Sequence, residues 1–261
     1  MALLTEPVRK SVFDVVQYNL RATDCKTYIT RVVYFGEYRG SREALQKRME
    51  DIIQDLRVDY DDMLITGLLL VYPTHYIHVL EAWEDIIYKH YELVYATDGD
   101  ECKFGKAIPL PSYHHVHQRF FSDWWHVYAT PPTLMGTPEA RTLDDVLKQV
   151  SNCLIKVYTL CECIANAMRE KSIDAQDALR NLEDKAGRYL PERTVLEFLL
   201  NVSAPALKTV VEYLQMYSDA SPNALWDDNN VWPPPCDVTP RDVFPATWPH
   251  REAPGYPDSE K

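Results

Sequence analysis

Glycine is scarce, with 8 among 261 residues, and none are spaced to cradle a phosphate. Basic residues are also in the minority, 27 against 39 acidic ones, for a net charge of -12. That balance excludes a general nucleic-acid binder, which needs a basic surface to displace counterions from phosphate. It also disfavours docking on an acidic membrane leaflet. No run of about 18 apolar residues occurs, so no membrane span is expected. Met1 to Lys10 carries only a short apolar run, broken by Glu6 and Pro7, so no secretory signal is expected. The six cysteines are an even number, yet a chain of this size folds without staples. Free thiols in a reducing, cytoplasmic setting are expected. What the chain does have is a 46% hydrophobic share, enough for a sizeable core.

Residues 1–26 show no clear period and read as a lead-in. Tyr28 to Phe35 reads as a strand, with Ile29, Val32, Val33 and Tyr34 β-branched or aromatic, and with Gly36 and Gly40 breaking it. Ser41 can cap the helix that follows, with Glu43 in its first turn and Leu45, Met49, Ile52, Ile53 and Leu56 at helical spacing. Met63 to Tyr72 is nearly all apolar and reads as a central strand buried on both faces. Pro73-Thr74 then makes a tight turn into His75 to Leu80. On the next helix Trp83, Ile86, Ile87, His90, Tyr91 and Val94 share a face. Two more strands are expected near Ala107 to His117 and Trp124 to Thr130. This order predicts an α+β, ferredoxin-like split β-α-β sheet of five strands with two helices.

From Thr142 the chain turns helical. Thr142 and Asp145 have capping-box spacing, with Asp in place of the usual Glu or Gln. Leu143, Leu147, Val150, Leu154, Val157, Cys161, Ile164 and Met168 form a stripe that suits packing on the domain's own sheet, or else a partner helix in a coiled coil. Cys161 and Cys163 lie two apart, so a helix turns them to different sides and they do not form a metal pair. Further helices are expected near Asp174 to Lys185 and Pro191 to Ser218, with Pro191 in a first turn and Pro205 dividing the last stretch.

The final segment, Pro222 to Lys261, holds nine of the 18 prolines and three of the six tryptophans. Extended chain is expected there. Trp226, Trp232 and Trp248, with Pro233, are candidate partner-binding residues, because a freely solvated tail is usually poor in aromatics. The predicted organisation is a lead-in at 1–26, a sheet domain at 27–135, a C-terminal helical subdomain at 136–221 and a tail at 222–261.

Ile65-Thr66-Gly67-Leu68-Leu69, followed by Tyr72, Pro73 and His78-Val79-Leu80-Glu81, resembles the central hairpin of BLUF domains. These are blue-light sensors that bind flavin. Thr30-Arg31-Val32-Val33-Tyr34 resembles their first strand. Over more of the chain, Ile65 to Leu80, Trp125-His126-Val127, Leu190-Pro191-Glu192 and Val231-Trp232-Pro233 together resemble the testis-expressed protein forty-seven family. That is a BLUF-like family of testis and sperm without known catalysis. The resemblance implies a BLUF fold and a structural component of the cilium or flagellum axoneme. Its implied partners are axonemal proteins, such as radial-spoke or doublet-microtubule components.

BLUF photochemistry needs a tyrosine and a glutamine beside the flavin ring. By the resemblance, Tyr34 takes the first position and His78 the second. A neutral imidazole offers one donor and one acceptor but cannot rotate or tautomerise like an amide. Where the family places flavin-contacting asparagines, this chain has Val58-Asp59-Tyr60-Asp61-Asp62, whose carboxylates repel the flavin phosphates. Asp59 and Tyr60 are therefore read with Tyr34 and His78 as vestigial flavin positions, and no cofactor is expected. Trp124 and Trp125 compete for the light-sensor tryptophan position. The alternative is a flavin-binding sensor with an altered light response.

His114, His115 and His117 are the best metal cluster on paper, since His115 and His117 would share a strand face, with His126 on a neighbour. No spacing fixes the remaining ligands of a tetrahedral site, so no metal is expected. Gly36, Arg39 and Gly40 hint weakly at an anion-binding loop. No nucleophile elbow or helical zinc motif appears, so catalysis is not expected.

Overall fold

The computed structural model describes residues 11–22, 28–61, 63–95, 103–133, 136, 138, 142–170, 179 and 186–218. The chain divides into two units after Gln215, and the structure below is that of the first with the last turn of the helix that crosses the boundary. Its elements are α1 (Val12–Ala22), β1 (Thr30–Tyr38), α2 (Arg42–Asp59), β2 (Thr66–Val71), β3 (His75–Ala82), α3 (Glu84–Tyr95), β4 (Phe104–Pro109) and β5 (Trp124–Tyr128). After these come α4 (Leu143–Glu170), a short 3-10 turn (Gly187–Tyr189), α5 (Arg193–Asn201) and α6 (Val210–Ser218).

The sheet order is β4-β1-β3-β2-β5. β1–β3, β1–β4 and β2–β3 are antiparallel, and β2–β5 is parallel. Four strands thus have the ferredoxin-like order, and β5 extends them to a five-stranded mixed sheet. α2 and α3, the two crossovers, pack on one face with Tyr34, Leu69, Tyr76 and Leu80. α4 and α5 cover the other, packing on Val33, Phe35, Leu68, Leu70, Ile77 and Val79. Burial on both sides explains why β2 reads as an apolar run instead of alternating.

Several expectations hold closely. The Ser41 hydroxyl caps α2, and the five apolar residues named for that helix are the ones it buries. The hairpin closes through Pro73-Thr74, with the Tyr72 N–H bonded to the His75 carbonyl at 2.9 Å. The Thr142–Asp145 capping box forms, so the shorter aspartate reaches as a glutamate would.

Others need correction. Gly36 does not end β1, which runs on to Tyr38. A side chain at Gly36 would meet the Tyr76 hydroxyl at 2.7 Å, so this glycine makes room within a strand. The fourth strand ends at Pro109, and His114 to His117 lie beyond it. The lead-in contains α1, whose first turn is closed by a Ser11–Asp14 capping box. Pro191 stands two residues before the start of α5, because Glu192 is the N-cap. On α4, Val150, Val157, Cys161 and Ile164 are buried on the sheet together with Val146, Cys153 and Leu160, while Leu143 and Leu147 are exposed. The stripe is therefore a broad core-facing face, not a narrow coiled-coil seam. Cys161 is buried and Cys163 exposed, as residues two apart on a helix should be. Pro205 does separate α5 from α6, and a Thr209–Glu212 box starts α6. The helix expected near Asp174 to Lys185 and the Pro222 to Lys261 tail lie outside the described residues. No described helix is long and apolar enough to cross a membrane.

Gly67 is the tightest point of the sheet. A Cβ there would lie 2.1 Å from the Val79 carbonyl oxygen, which is backbone and cannot swing away. Gly67→Ala is expected to cost about 2–3 kcal/mol, as overpacking does, and urea unfolding of the variant would measure it. An unchanged midpoint would contradict this close approach.

Candidate functional site

Two of the positions that the resemblance to flavin sensors singles out, Tyr34 and His78, meet at the centre of the α2/α3 face. Tyr34 on β1 and His78 on β3 are direct cross-strand partners. Trp124 opens β5, and His90 reaches in from α3. Tyr34, His78 and His90 have no solvent exposure, and Trp124 is buried.

Three hydrogen bonds link these side chains. The Trp124 indole Nε1 lies 2.8 Å from His78 Nε2. His78 Nδ1 lies 2.9 Å from the Tyr34 hydroxyl, and that hydroxyl lies 2.7 Å from His90 Nε2. Chemistry fixes the direction. An indole N–H only donates, so His78 Nε2 accepts. Burial holds the His78 pKa well below the ordinary histidine range, so the ring is neutral. Its single proton is then on Nδ1 and is donated to Tyr34. The Tyr34 hydrogen goes on to His90 Nε2. Burial lowers the His90 pKa to about 3, so this ring is neutral too and carries its proton on Nδ1. That last N–H has no hydrogen-bond partner. The relay therefore runs from Trp124 through His78 and Tyr34 to His90, and stops at an unpaired donor.

This arrangement orders the core but is poorly placed for catalysis. Burial raises the Tyr34 pKa well above that of a free phenol, which removes it as a base at neutral pH. A flavin ring would need hydrogen bonds from Tyr34 and residue 78. Here Tyr34 has given its only hydrogen to His90, and both His78 nitrogens are engaged. The residues present do not fit the flavin role without breaking the relay.

Other predicted residues lie apart. Asp59 ends α2 and is exposed, and the Tyr60 N–H caps that helix end on the Leu56 carbonyl. Neither is hydrogen-bonded to Tyr34 or His78. The Trp124/Trp125 ambiguity is resolved: Trp124 faces the relay and Trp125 packs on the opposite core. His115 stacks on Tyr28 at 4.1 Å with a positive φ of 60, so it does not share a strand face with His117. His114 Nδ1 lies 3.2 Å from the Thr30 hydroxyl. Among the described residues no three His, Cys, Asp or Glu side chains group as metal ligands. Tyr38 at the end of β1 and Arg39 after it spend their N–H groups on the Thr74 and Lys103 carbonyls, leaving those donors unavailable to an anion. Trp226, Trp232, Pro233 and Trp248 lie outside the described residues. Helical periodicity alone places His90 on a packing face. The signal was there: a lone histidine in an apolar stripe, on the helix that crosses over Tyr34.

A second buried polar cluster lies on the opposite sheet face, nearer the end of the hairpin. Arg31 and Glu81 are cross-strand partners, bonded at 2.6 and 2.7 Å. Glu81 also accepts the Thr66 hydroxyl at 3.0 Å and the Phe120 N–H at 3.1 Å. The guanidinium sits 3.7 Å over the Phe120 ring and donates to the Gln118 carbonyl. This clamp fixes residues 118–120, the approach to β5, and so helps set Trp124 in place.

Strand order and buried centre together define a ferredoxin-like α+β domain with a fifth parallel strand and an aromatic-imidazole core. The chain belongs to the testis-expressed protein 47 family, whose model matches residues 28–219. Solved structures similar to it include BlrB, a BLUF protein in its dark state, at 14% identity and a TM-score of 0.31, covering 66% of this chain and 98% of that one. A bacterial light-regulated adenylyl cyclase matches at 18% identity and a TM-score of 0.33, covering 62% of this chain and 40% of that one. Klebsiella pneumoniae BlrP1 matches at 15% identity and a TM-score of 0.30, covering 47% of this chain and 28% of that one. The chain thus spans less than half the length of the last two.

Proposed function

We propose that this protein is a non-catalytic structural component of the motile cilium or sperm flagellum, built on a BLUF-like fold that has lost flavin photochemistry. One observation carries the second half of this reading: the hydrogen-bonding atoms a flavin would need on Tyr34 and His78 are already committed to Trp124, to each other and to His90. The family's description as testis-expressed supports the first half. The family is not known as enzymatic. The proposed partners are axonemal proteins, such as radial-spoke or doublet-microtubule components. Trp226, Trp232, Trp248 and Pro233 are the proposed contact residues.

Two measurements test this. Protein purified after expression with excess flavin is expected to be colourless. A stoichiometric blue-absorbing chromophore would instead establish the sensor reading. In multiciliated cells, the tagged full chain is expected to stay with detergent-extracted axonemes, and removal of residues 222–261 is expected to release it. Full extraction of the intact chain would overturn the axonemal assignment.

A further inference from the structure

β5 is an outer strand of the sheet and pairs only with β2. The Gly67 N–H bonds to the Asp123 carbonyl at 3.2 Å, and the Ala129 N–H to the Val71 carbonyl at 3.1 Å. Successive residues of a strand turn their backbone groups to alternate sides, so Asp123, Trp125, Val127 and Ala129 direct theirs to β2. Trp124, His126 and Tyr128 direct theirs outward. Trp124 satisfies its N–H locally, on Asp123 Oδ1 at 2.7 Å. The N–H groups of His126 and Tyr128 and the carbonyls of Trp124 and His126 have no partner among the described residues.

Outer strands are normally guarded by charge, proline or a covering element, because an open edge pairs with other strands. β4, the opposite edge, is guarded. It carries Lys106 and Pro109, and Lys106 Nζ reaches across to the Leu200 carbonyl at 2.6 Å. β5 reads Trp-Trp-His-Val-Tyr, with no proline, lysine or acidic residue. Burial lowers the His126 pKa, so the strand carries no formal charge at neutral pH. Its side chains are incompletely covered on both faces. Trp125 and Val127 are half-buried on the α4 side. On the α2 side His126 is half-buried, and Tyr128 is exposed with its hydroxyl bonded to Gln46. The rings of Trp124, His126 and Tyr128 follow one another along that side at 6.1 and 6.2 Å.

The strand is complementary to itself read backwards. A second copy laid antiparallel and centred on His126 sets Trp124 opposite Tyr128 and Trp125 opposite Val127, each twice. These are aromatic–aromatic and aromatic–β-branched pairs, the favourable kinds across antiparallel strands. The two His126 residues exchange N–H and carbonyl on the axis, and each Tyr128 N–H meets the Trp124 carbonyl of the second copy. This register pairs the strand over its whole length and uses every donor and acceptor just named. We propose that β5 pairs in this way with the β5 of a second copy of the chain, joining the two sheets into one across a two-fold axis at His126. The inference rests on the strand alone and is independent of the axonemal reading.

The test is sedimentation equilibrium of the full-length protein at neutral pH. The mass is expected to rise from 30.3 kDa towards twice that value as concentration increases, with the dimer dominant by about 100 µM, as suits a small interface. Two variants locate the contact. His126→Pro deletes an outward N–H and leaves the bonds to β2 intact, as proline at a strand edge can. Tyr128→Lys adds the charge that β5 lacks, at an exposed position. Each is expected to keep the wild-type circular dichroism and to weaken dimerisation about tenfold or more. If His126→Pro does not fold, Tyr128→Lys decides alone. A wild-type chain that stays at 30.3 kDa throughout would overturn the proposal. So would a folded Tyr128→Lys variant that dimerises as tightly as wild type, since the contact would then lie on another surface.

Discussion

Glu81→Ala is expected to destabilise the protein by about 3–5 kcal/mol, the usual cost of leaving one member of a buried ion pair alone. Arg31 would be stranded at 9% side-chain exposure with its main counter-charge gone. The Thr66 hydroxyl and the Phe120 N–H would lose their acceptor as well. Urea unfolding followed by circular dichroism measures the loss. The reverse test is sharper. Replacing both partners together, as Arg31→Met with Glu81→Leu, should recover the part due to the stranded charge, because the desolvation cost of the charges disappears with them, while the Thr66 and Phe120 donors still lack their acceptor. If the double variant is no better than Glu81→Ala, the cluster acts through packing and hydrogen bonding more than through charge.

The second large effect is a loss of stability in mild acid. His78 and His90 are neutral in the folded state, with pKa values pulled down by burial. In the unfolded chain both titrate near the ordinary value of about 6.5. Below that pH the unfolded state binds protons that the folded state refuses, so stability falls as pH falls. Each histidine contributes about 1.4 kcal/mol per pH unit. For His90 the loss continues until the folded state itself protonates, near pH 3. Together the pair should cost about 4 kcal/mol between pH 6.5 and 5, above the range where carboxylates begin to titrate. His75 and His126, whose pKa values burial also lowers, add in the same direction. His78→Gln keeps a donor for Tyr34 and an acceptor for Trp124. It should remove about half of the pair's slope. Stability that stays flat from pH 7 to 5 would mean that the relay is charged or open to water.

Much of this fold is legible in the sequence, because its strongest signals are local. The α2 stripe, the Pro73-Thr74 turn and the Thr142–Asp145 box each depend on residues only a few positions apart. The errors arise where distant chain decides. Gly36 reads as a strand end until Tyr76 is placed beside it. His114 to His117 read as strand, but the strand stops at Pro109. The site was half legible. Tyr34 and His78 were found through their family positions, and the structure makes them neighbours. Asp59 and Tyr60 rest on the same resemblance, yet they are not bonded to that centre. His90 needed the crossover of α3 to become visible, since periodicity reports that a residue faces inward and not what it meets there.

The parallel pairing of β2 with β5 has a consequence for biosynthesis. The first four strands can assemble into their split β-α-β order as soon as Pro109 has left the ribosome. β5 comes later, after the long connection that the Glu81 clamp holds. Until it arrives, β2 presents an open edge made of Thr66, Gly67, Leu68, Leu69, Leu70 and Val71, apolar and free to pair with any other nascent strand. The β2 edge is thus closed only when β5 docks beside it.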